Sequence, residues 1–137
     1  MDIKEELTHR KATLDDLQTI VNLLRDDELG QTRENLSTTL EQSYIDAFHK
    51  IDTDPNQYLM VVSLGKTIVG SCHLAIMPSL TFKGSTRMQI EAVRVLSTYR
   101  GRKIGEWMMK VAFDYGKSRG ASIFQLTTNK KRPRAKQ

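Results

Sequence analysis

The 137-residue sequence predicts one α/β domain with a mixed sheet and the element order β-α-α-β-β-β-α-β. Three observations support this prediction. Residues 58–64 and 67–77 are apolar runs on either side of Gly65 and Lys66, which is typical of a β-hairpin. Residues 85–95 have a strand pattern that leads into a helical pattern. Because residues 122–128 indicate another strand, the last two strands should be parallel and joined by a right-handed crossover.

The region before the hairpin contains one weak strand pattern and two helical patterns. Residues 3–10 alternate weakly and predict the first strand. Thr13 is a suitable N-cap for the first helix. Its apolar positions share one face, namely Leu14, Leu17, Ile20, Val21 and Leu24. After a break near Gly30, residues 32–51 predict a second helix with an apolar stripe of Leu36, Leu40, Tyr44, Ala47, Phe48 and Ile51.

The region after the hairpin begins with a predicted loop over residues 78–84. The third helix should begin near Arg102 and end before Gly120, which suits the C′ position. Its apolar residues follow helical spacing: Ile104, Trp107, Met108, Val111, Ala112 and Tyr115.

The composition is that of an ordinary globular chain, with 39% hydrophobic and 27% charged residues. No apolar run is long enough to span a bilayer, and the acidic N-terminus does not resemble a secretory signal. The single cysteine, Cys72, excludes an internal disulfide. We therefore expect a cytoplasmic protein without a membrane partner.

The net charge of +5 is concentrated at the C-terminus. Five basic residues lie there: Lys130, Lys131, Arg132, Arg134 and Lys136. Without them, 16 of the 21 basic residues remain, which equals the 16 acidic residues. A nucleic-acid-binding body is therefore not expected, and only the basic tail retains that potential.

Residues 89–105, which read QIEAVRVLSTYRGRKIG, have the clearest functional pattern. Here a strand opens into a helix through a basic turn that contains Gly101. The free N–H groups of the first helical turn and the helix dipole favour a phosphate or pyrophosphate at such a position. The alternative is a solvated basic turn before an ordinary helix. Rossmann and Walker glycine patterns are missing, which disfavours hydride transfer and nucleotide hydrolysis.

The segment RGRKIG after the strand IEAVRV resembles the acyl-CoA-binding motif Q/R-x-x-G-x-G/A of the GNAT superfamily of N-acetyltransferases. Arg100 and Gly105 match the ends of the motif, whereas Lys103 replaces its central glycine. That replacement is tolerable if position 103 has helical dihedral angles and harmful if it needs a positive φ. The resemblance implies a single N-acetyltransferase domain over residues 1–137, of the small-molecule amine type.

The resemblance also implies an acetyl-CoA site built mainly from backbone groups. The pyrophosphate would bind at Arg100, Gly101, Arg102, Lys103, Ile104 and Gly105. Backbone groups of Val93, Arg94 and Val95 would pair with the pantetheine arm like an added strand. An N–H near Val93 would stabilise the oxyanion of the thioester, and Asn129 would hydrogen-bond the pantetheine. The structural alternatives are core valines and an asparagine that merely ends a strand.

Glu91 is the candidate catalytic residue. It lies two positions before Val93 on a strand that should be well covered, where a carboxylate is costly unless it is paired or used. By resemblance it would be the general base, directly or through water, because an amine must lose a proton before it attacks a thioester. The structural alternative is an ion pair with Arg87, Arg94 or a helix N-terminus.

The remaining reactive residue types give weaker signals. His9, His49 and His73 have no common ligand spacing, so no metal is expected. His73 lies in a strand and is expected to be packed. Cys72 also lies in a strand and, without a paired histidine, is expected to be a core residue.

Family members continue beyond residues 130–137 with a helix that bears the usual general-acid tyrosine and with two more strands. The resemblance therefore implies that this C-terminal segment is lacking, that no acid residue can be assigned and that the last strand has an open edge. The favoured explanation is that the sequence is part of a longer chain. The others are a second chain over the edge, as in a homodimer, and a shortened, weakened relative.

We thus expect an enzyme that transfers an acetyl group from acetyl-CoA to a primary amine by direct attack in a ternary complex. Similarity of residues 88–131 to small-molecule acetylating enzymes, including the aminoalkylphosphonate type, favours a small amine. Residues 26–35 and 78–87 should select it. The alternatives are a non-catalytic acetyl-CoA-binding or regulatory module and, less favoured, nucleic-acid binding through the basic tail.

Overall fold

Five strands form one mixed sheet in the computed structural model, which describes residues 6–25 and 40–127. The strands, adjacent in sequence order, are β1 (Leu7–Lys11), β2 (Gln57–Leu64), β3 (Thr67–Pro78), β4 (Thr86–Val95) and β5 (Ala121–Leu126). The first four pair antiparallel, and β5 pairs parallel with β4. The predicted fold class is therefore confirmed. No helix in the described part of the chain is long and apolar enough to cross a membrane.

Two helices cover one face of the sheet and a third covers the other. They are α1 (Leu17–Arg25), α2 (Gln42–Asp52) and α3 (Ile104–Ser118). On the α1–α2 face, Leu17, Ile20, Val21 and Phe48 pack against Leu59 and Val61 of β2. On the α3 face, Ile104, Met108 and Ala112 pack against residues of β2, β3 and β4. Helices therefore cover the sheet on both sides.

The first helix begins later than its apolar pattern suggests. Residues Leu14–Asp16 form a 3-10 turn, so Leu14 lies off the buried face and is 46% exposed, contrary to expectation. Thr13 is the N-cap as predicted. The Asp16 carboxylate accepts hydrogen bonds from the Thr13 backbone N–H at 2.7 Å and from both terminal nitrogens of Arg10. These bonds, chiefly those from Arg10, lower the pKa of Asp16 to about 2.

The predicted second helix is shorter within the described residues, where it begins at Gln42 rather than at residue 32. Leu40 precedes the helix and packs against its core cluster, together with Tyr44 and Ile51. The backbone of Glu41 is extended, with φ −68° and ψ +147°, so the prediction of one continuous helix over residues 32–51 is wrong. Leu36 and the rest of residues 26–39 lie outside the described residues.

The α3 helix packs closely on the sheet at Gly116, a helix residue that faces the sheet. A Cβ at Gly116 would lie 2.7 Å from Phe124 Cε1 and 2.9 Å from Met88 Sδ, which is too close for any side chain. A Cβ at Gly105, by contrast, would make an ordinary contact at 4.0 Å from Val95. The helix ends as predicted, with Gly120 at φ +87° just beyond its last turn.

The predicted loop between β3 and β4 contains one irregular turn, Thr81–Gly84. Phe82 and Lys83 both have positive φ there, which prevents a regular helix. Leu80 is 96% exposed and Phe82 74% exposed. This turn therefore presents two large apolar side chains to solvent.

Candidate active site

The described pairing between β4 and β5 covers the first half of β4. Their parallel pairing runs from Thr86 to Ile90 of β4, where Ile90 is opposite Leu126. The last contact is a 3.0 Å hydrogen bond from the Thr127 N–H to the Ile90 carbonyl. Within the described residues, the second half of β4 pairs only with β3. Among residues 6–25 and 40–127, this edge of β4 beside the predicted site residues therefore has no strand partner.

A β-bulge at Ala92 lies just beyond the described pairing with β5. Ala92 has φ +54°, and the register with β3 shifts so that His73 is opposite Glu91 while Ser71 is opposite Arg94. The extra residue bends the strand. The bulge was not predicted from the sequence, although the spacing of the apolar residues contains a signal for it. Positions facing α3 are Met88 and Ile90 before it but Val93 and Val95 after it, a step of three instead of two.

Beyond the bulge, the backbone N–H groups of Val93 and Val95 point toward the edge of β4 that faces away from β3. The Leu96 N–H donates to the Val69 carbonyl of β3 at 2.8 Å. Because successive residues of a strand point their N–H groups to opposite sides, those of Val95 and Val93 point away from β3. The Val93 carbonyl accepts a hydrogen bond from Arg94 Nη1 at 3.0 Å. This edge therefore offers donors at alternate residues, as an added strand requires.

The N-terminus of α3 lies next to this edge and has no side-chain cap. The first helical hydrogen bond runs from the Trp107 N–H to the Lys103 carbonyl at 3.1 Å. The N–H groups of Ile104, Gly105 and Glu106 thus precede the helical hydrogen-bonding pattern. Their partial positive charge and the helix dipole make this end favourable for an anion.

Lys103 adopts the left-handed conformation, with φ +64° and ψ +22°. The helix therefore begins at Ile104, two residues later than predicted, because a left-handed residue cannot belong to a right-handed helix. Position 103 needs a positive φ, so the replacement of the motif glycine by lysine is the unfavourable case. Gly101, at φ +85°, also uses the conformational freedom of glycine.

A surface cleft of about 330 Å³ joins the end of β4 to the start of α3. It is lined by Val95, Tyr99, Arg100, Gly101, Lys103, Ile104 and Gly105. The guanidinium of Arg102 lies over the Tyr99 ring, 5.4 Å from its centre, which holds this charge beside the cleft. The structure thus brings together all six predicted residues of the turn. The cleft lies at the uncapped N-terminus of α3, and three cationic side chains belong to the same turn.

Glu91 is less covered than expected, with 38% of its side chain exposed. Its Oε1 lies 3.7 Å from Nδ1 of His73, the opposite residue on β3. His73 Nε2 is in turn 2.7 Å from Gln57 Oε1. Burial lowers the pKa of His73, and the Glu91 carboxylate partly offsets this. The histidine expected only to pack is therefore paired with the candidate base.

A cavity of about 180 Å³ lies on the α1–α2 face beside the bulge. Its walls are mostly apolar, and it reaches Ser71, His73 and Ala92 on the sheet. The Ser71 hydroxyl is buried and has no hydrogen-bond partner among the described residues. The sequence analysis did not single out Ser71. The cavity is apolar at its walls and polar at its sheet end.

Of the remaining predicted residues, Cys72 is buried and lines the same cavity. Cys72 is 2% exposed, and burial raises the pKa of its thiol to about 12, as expected for a core cysteine. Asn129 lies outside the described residues. Residues 6–25 and 40–127 contain no group of three metal-ligating side chains.

Comparison with known proteins supports the resemblance drawn from the motif. The profile of the acetyltransferase (GNAT) family matches residues 17–137. A crystal structure of a transcriptional regulator from Bacillus halodurans C-125 is 43% identical, with a TM-score of 0.88, over 94% of this chain and 86% of that one. No curated protein sequence matches significantly.

More distant structures share the fold. Glucosamine-6-phosphate N-acetyltransferase from Arabidopsis thaliana is 21% identical with a TM-score of 0.73, over 91% of this chain and 84% of that one. An aminoglycoside acetyltransferase from an uncultured soil metagenomic sample, in complex with sisomicin, is 18% identical with a TM-score of 0.72, over 97% and 84%. Because the family profile covers most of the sequence, this chain belongs to the GNAT family of acetyltransferases.

Proposed function

We propose that the protein transfers the acetyl group of acetyl-CoA to a primary amine of a small molecule, by direct attack in a ternary complex. The observation that supports this most strongly is the edge of β4 that has no described strand partner, beside the uncapped end of α3. One extended thioester with a pyrophosphate group would match both features at once. The edge is complementary to an amide-bearing arm, and the helix end is complementary to the anion.

The turn before α3 would hold the pyrophosphate. The N–H groups of Ile104 and Gly105 would donate to its oxygens, with Gly101 allowing the backbone to approach closely. The side chains of Arg100, Arg102 and Lys103 would add charge at the rim. Asn129 retains its proposed role toward the pantetheine arm.

The edge of β4 would align the reacting group. Backbone groups of Val93 and Val95 would pair with the pantetheine arm, while those of Arg94 face β3. The Val93 N–H would stabilise the negative charge that develops on the thioester oxygen, which typically contributes a few kcal/mol.

Glu91 would be the general base. Its carboxylate is partly exposed and lies two residues from Val93, on the face with the apolar cavity. A charged amine must lose a proton before it becomes nucleophilic, and a nearby carboxylate both attracts the ammonium and accepts that proton. The cavity favours an amine with a small apolar group.

A thiol-release assay over an amine panel tests the activity. The panel should include 2-aminoethylphosphonate, glucosamine 6-phosphate, sisomicin and 2-phenylethylamine. We expect turnover with at least one small amine at neutral pH. Tight acetyl-CoA binding by calorimetry without turnover for any amine would instead favour the non-catalytic module.

Replacing the base provides the residue-level test. Glu91→Gln should lower kcat/KM about 10²- to 10⁴-fold while leaving the Kd for acetyl-CoA unchanged, because the side chain faces away from the proposed cofactor edge. Asp114→Asn, an exposed change of the same charge on α3, is the control and should retain full activity. A Glu91→Gln variant with normal kcat/KM would remove the proposed base.

The nucleic-acid alternative is tested separately. The basic residues that motivate it, 130–136, lie outside the described residues. Binding to duplex DNA through this tail should weaken steeply with salt. Salt-insensitive affinity would argue against it.

A further inference from the structure

A chain of four polar side chains extends across β4, β3, the first residue of β2 and the turn before β2. Glu91 faces His73 Nδ1 at 3.7 Å, His73 Nε2 faces Gln57 Oε1 at 2.7 Å, and Gln57 Nε2 faces Asp54 Oδ2 at 2.9 Å. The side chain of His73 is 17% exposed and that of Glu91 is 38% exposed. The chain of contacts therefore runs from solvent at Asp54 to the edge of the proposed active site.

The hydrogen-bond donors in this chain can be assigned from Asp54. The Gln57 amide and the Asn56 backbone N–H both donate to the Asp54 carboxylate, and these bonds lower its pKa. A carboxylate only accepts hydrogen bonds, so the amide nitrogen of Gln57 must face Asp54 and its oxygen must face His73. That oxygen also only accepts, so His73 Nε2 carries the proton.

The assignment leaves the other ring nitrogen of His73 without a proton in the neutral imidazole. Nδ1 then presents a lone pair toward Glu91 Oε1, which is also an acceptor. Two acceptors 3.7 Å apart share no hydrogen bond of their own. One ammonium nitrogen placed between them can lie about 2.8 Å from both atoms.

We propose that His73 Nδ1 and Glu91 Oε1 together form the receptor for the substrate ammonium group and that the proton moves first to His73, so that Glu91 acts as the base through His73, whose imidazolium its carboxylate stabilises. This assignment rests on the proposed acetyl transfer. Gln57 and Asp54 are positioning residues that fix the His73 tautomer. His73 also lines the apolar cavity beside Ala92, so the receptor lies at the polar end of that cavity. The matching substrate class is a primary monoamine with a small apolar group.

The ammonium donates one proton to His73 Nδ1, which leaves a neutral amine and an imidazolium next to the Glu91 carboxylate. The amine lone pair forms the C–N bond at the thioester carbon, and the C–S bond breaks. The second amine proton goes to the departing sulfur, and the imidazolium returns its proton to solvent.

In the part of the chain that the structure describes, few charged or titratable groups lie close enough to His73 to change its pKa. Glu91 approaches it from β4, and Asp54 acts on it through Gln57. On the remaining cavity wall, α2 contributes Tyr44, and α1 contributes only apolar side chains among the described residues. The neighbouring thiol of Cys72 stays protonated at neutral pH because burial raises its pKa to about 12.

Nitrogen NMR of the full chain tests the tautomer without any ligand. Long-range ¹⁵N–¹H correlation at pH 7.5 should show protonated Nε2 and unprotonated Nδ1 for His73, with His9 and His49 as internal references. A protonated Nδ1 at that pH would overturn the proposal. Gln57→Glu should raise the NMR-measured pKa of His73 by about one unit, because a carboxylate then faces Nε2. An unchanged pKa would also overturn it.

Kinetics with acetyl-CoA and the best amine of the panel test the catalytic role. The acid limb of kcat/KM reports the free enzyme's base, so Gln57→Glu should move that limb upward by the same amount as the His73 pKa. Gln18→Glu makes the same change of charge on α1 and should leave the acid limb of the kcat/KM profile at the same pH. A limb that stays fixed while the His73 pKa moves would overturn the role of His73 and leave the acetyl transfer standing. A protein that is inactive with every amine would overturn both.

Discussion

Replacing Lys103 by glycine should stabilise the protein, which is unusual for a change at a proposed binding site. Lys103 is held at φ +64°, where a side chain costs about 1–2 kcal/mol relative to glycine. Glycine also gains freedom in the unfolded chain, which costs about 0.5–1 kcal/mol. The difference predicts that Lys103→Gly raises the free energy of unfolding by about 1 kcal/mol. For a chain of this length, that corresponds to a Tm increase of about 4 °C.

Lys103→Ala is the matched control, because it removes the same charge but keeps a Cβ in the left-handed conformation. Urea and thermal unfolding should therefore place Lys103→Gly about 1 kcal/mol above Lys103→Ala. Calorimetry with acetyl-CoA should show the same weakening in both variants, about three-fold, since both lose one exposed cation near the cleft. If the glycine variant is no more stable than the alanine variant, position 103 is not strained and our account of it is wrong.

Three further predictions concern stability and reactivity. Asp16→Asn should cost about 2 kcal/mol at pH 7, because the lowered pKa of Asp16 supplies stability that is lost as the pH falls from about 4 to 2; a urea-unfolding difference that persists at pH 2 would contradict this. Gly116→Ala should destabilise by about 1–3 kcal/mol, whereas Gly105→Ala on the same helix should be neutral or stabilising; equal midpoints would refute the close packing. The Cys72 thiol should react with a disulfide reagent at pH 8 only as fast as the protein unfolds; rapid labelling would show an accessible thiol.

The fold could be predicted because its signals are local. A few neighbouring positions were enough to predict each of three features. The turn residues predicted the hairpin, the apolar face predicted α3, and Gly120 predicted its end. The family motif then located the turn at residues 100–105. The exact start of α3 was not predictable in the same way, because a left-handed lysine has no sequence pattern of its own.

The polar chain at the candidate site could not be predicted because it depends on strand register. Gln57 and His73 are 16 residues apart and meet only when β2 and β3 pair with one particular offset. An irregularity between Val62 and Ser63 shifts that offset, and the bulge at Ala92 shifts the next one. Each one-residue shift exchanges the two faces of a strand. Sequence reasoning therefore found Glu91 but not its partner.

The bulge at Ala92 also makes the architecture sensitive to a deletion. Among the described residues, one extra residue separates the half of β4 that pairs on both sides from the half that pairs only with β3. Losing that residue would straighten the strand and restore a step of two between Ile90 and the next residue that faces α3. A deletion of one codon would therefore remove the bend in β4 beside the proposed acetyl-CoA site.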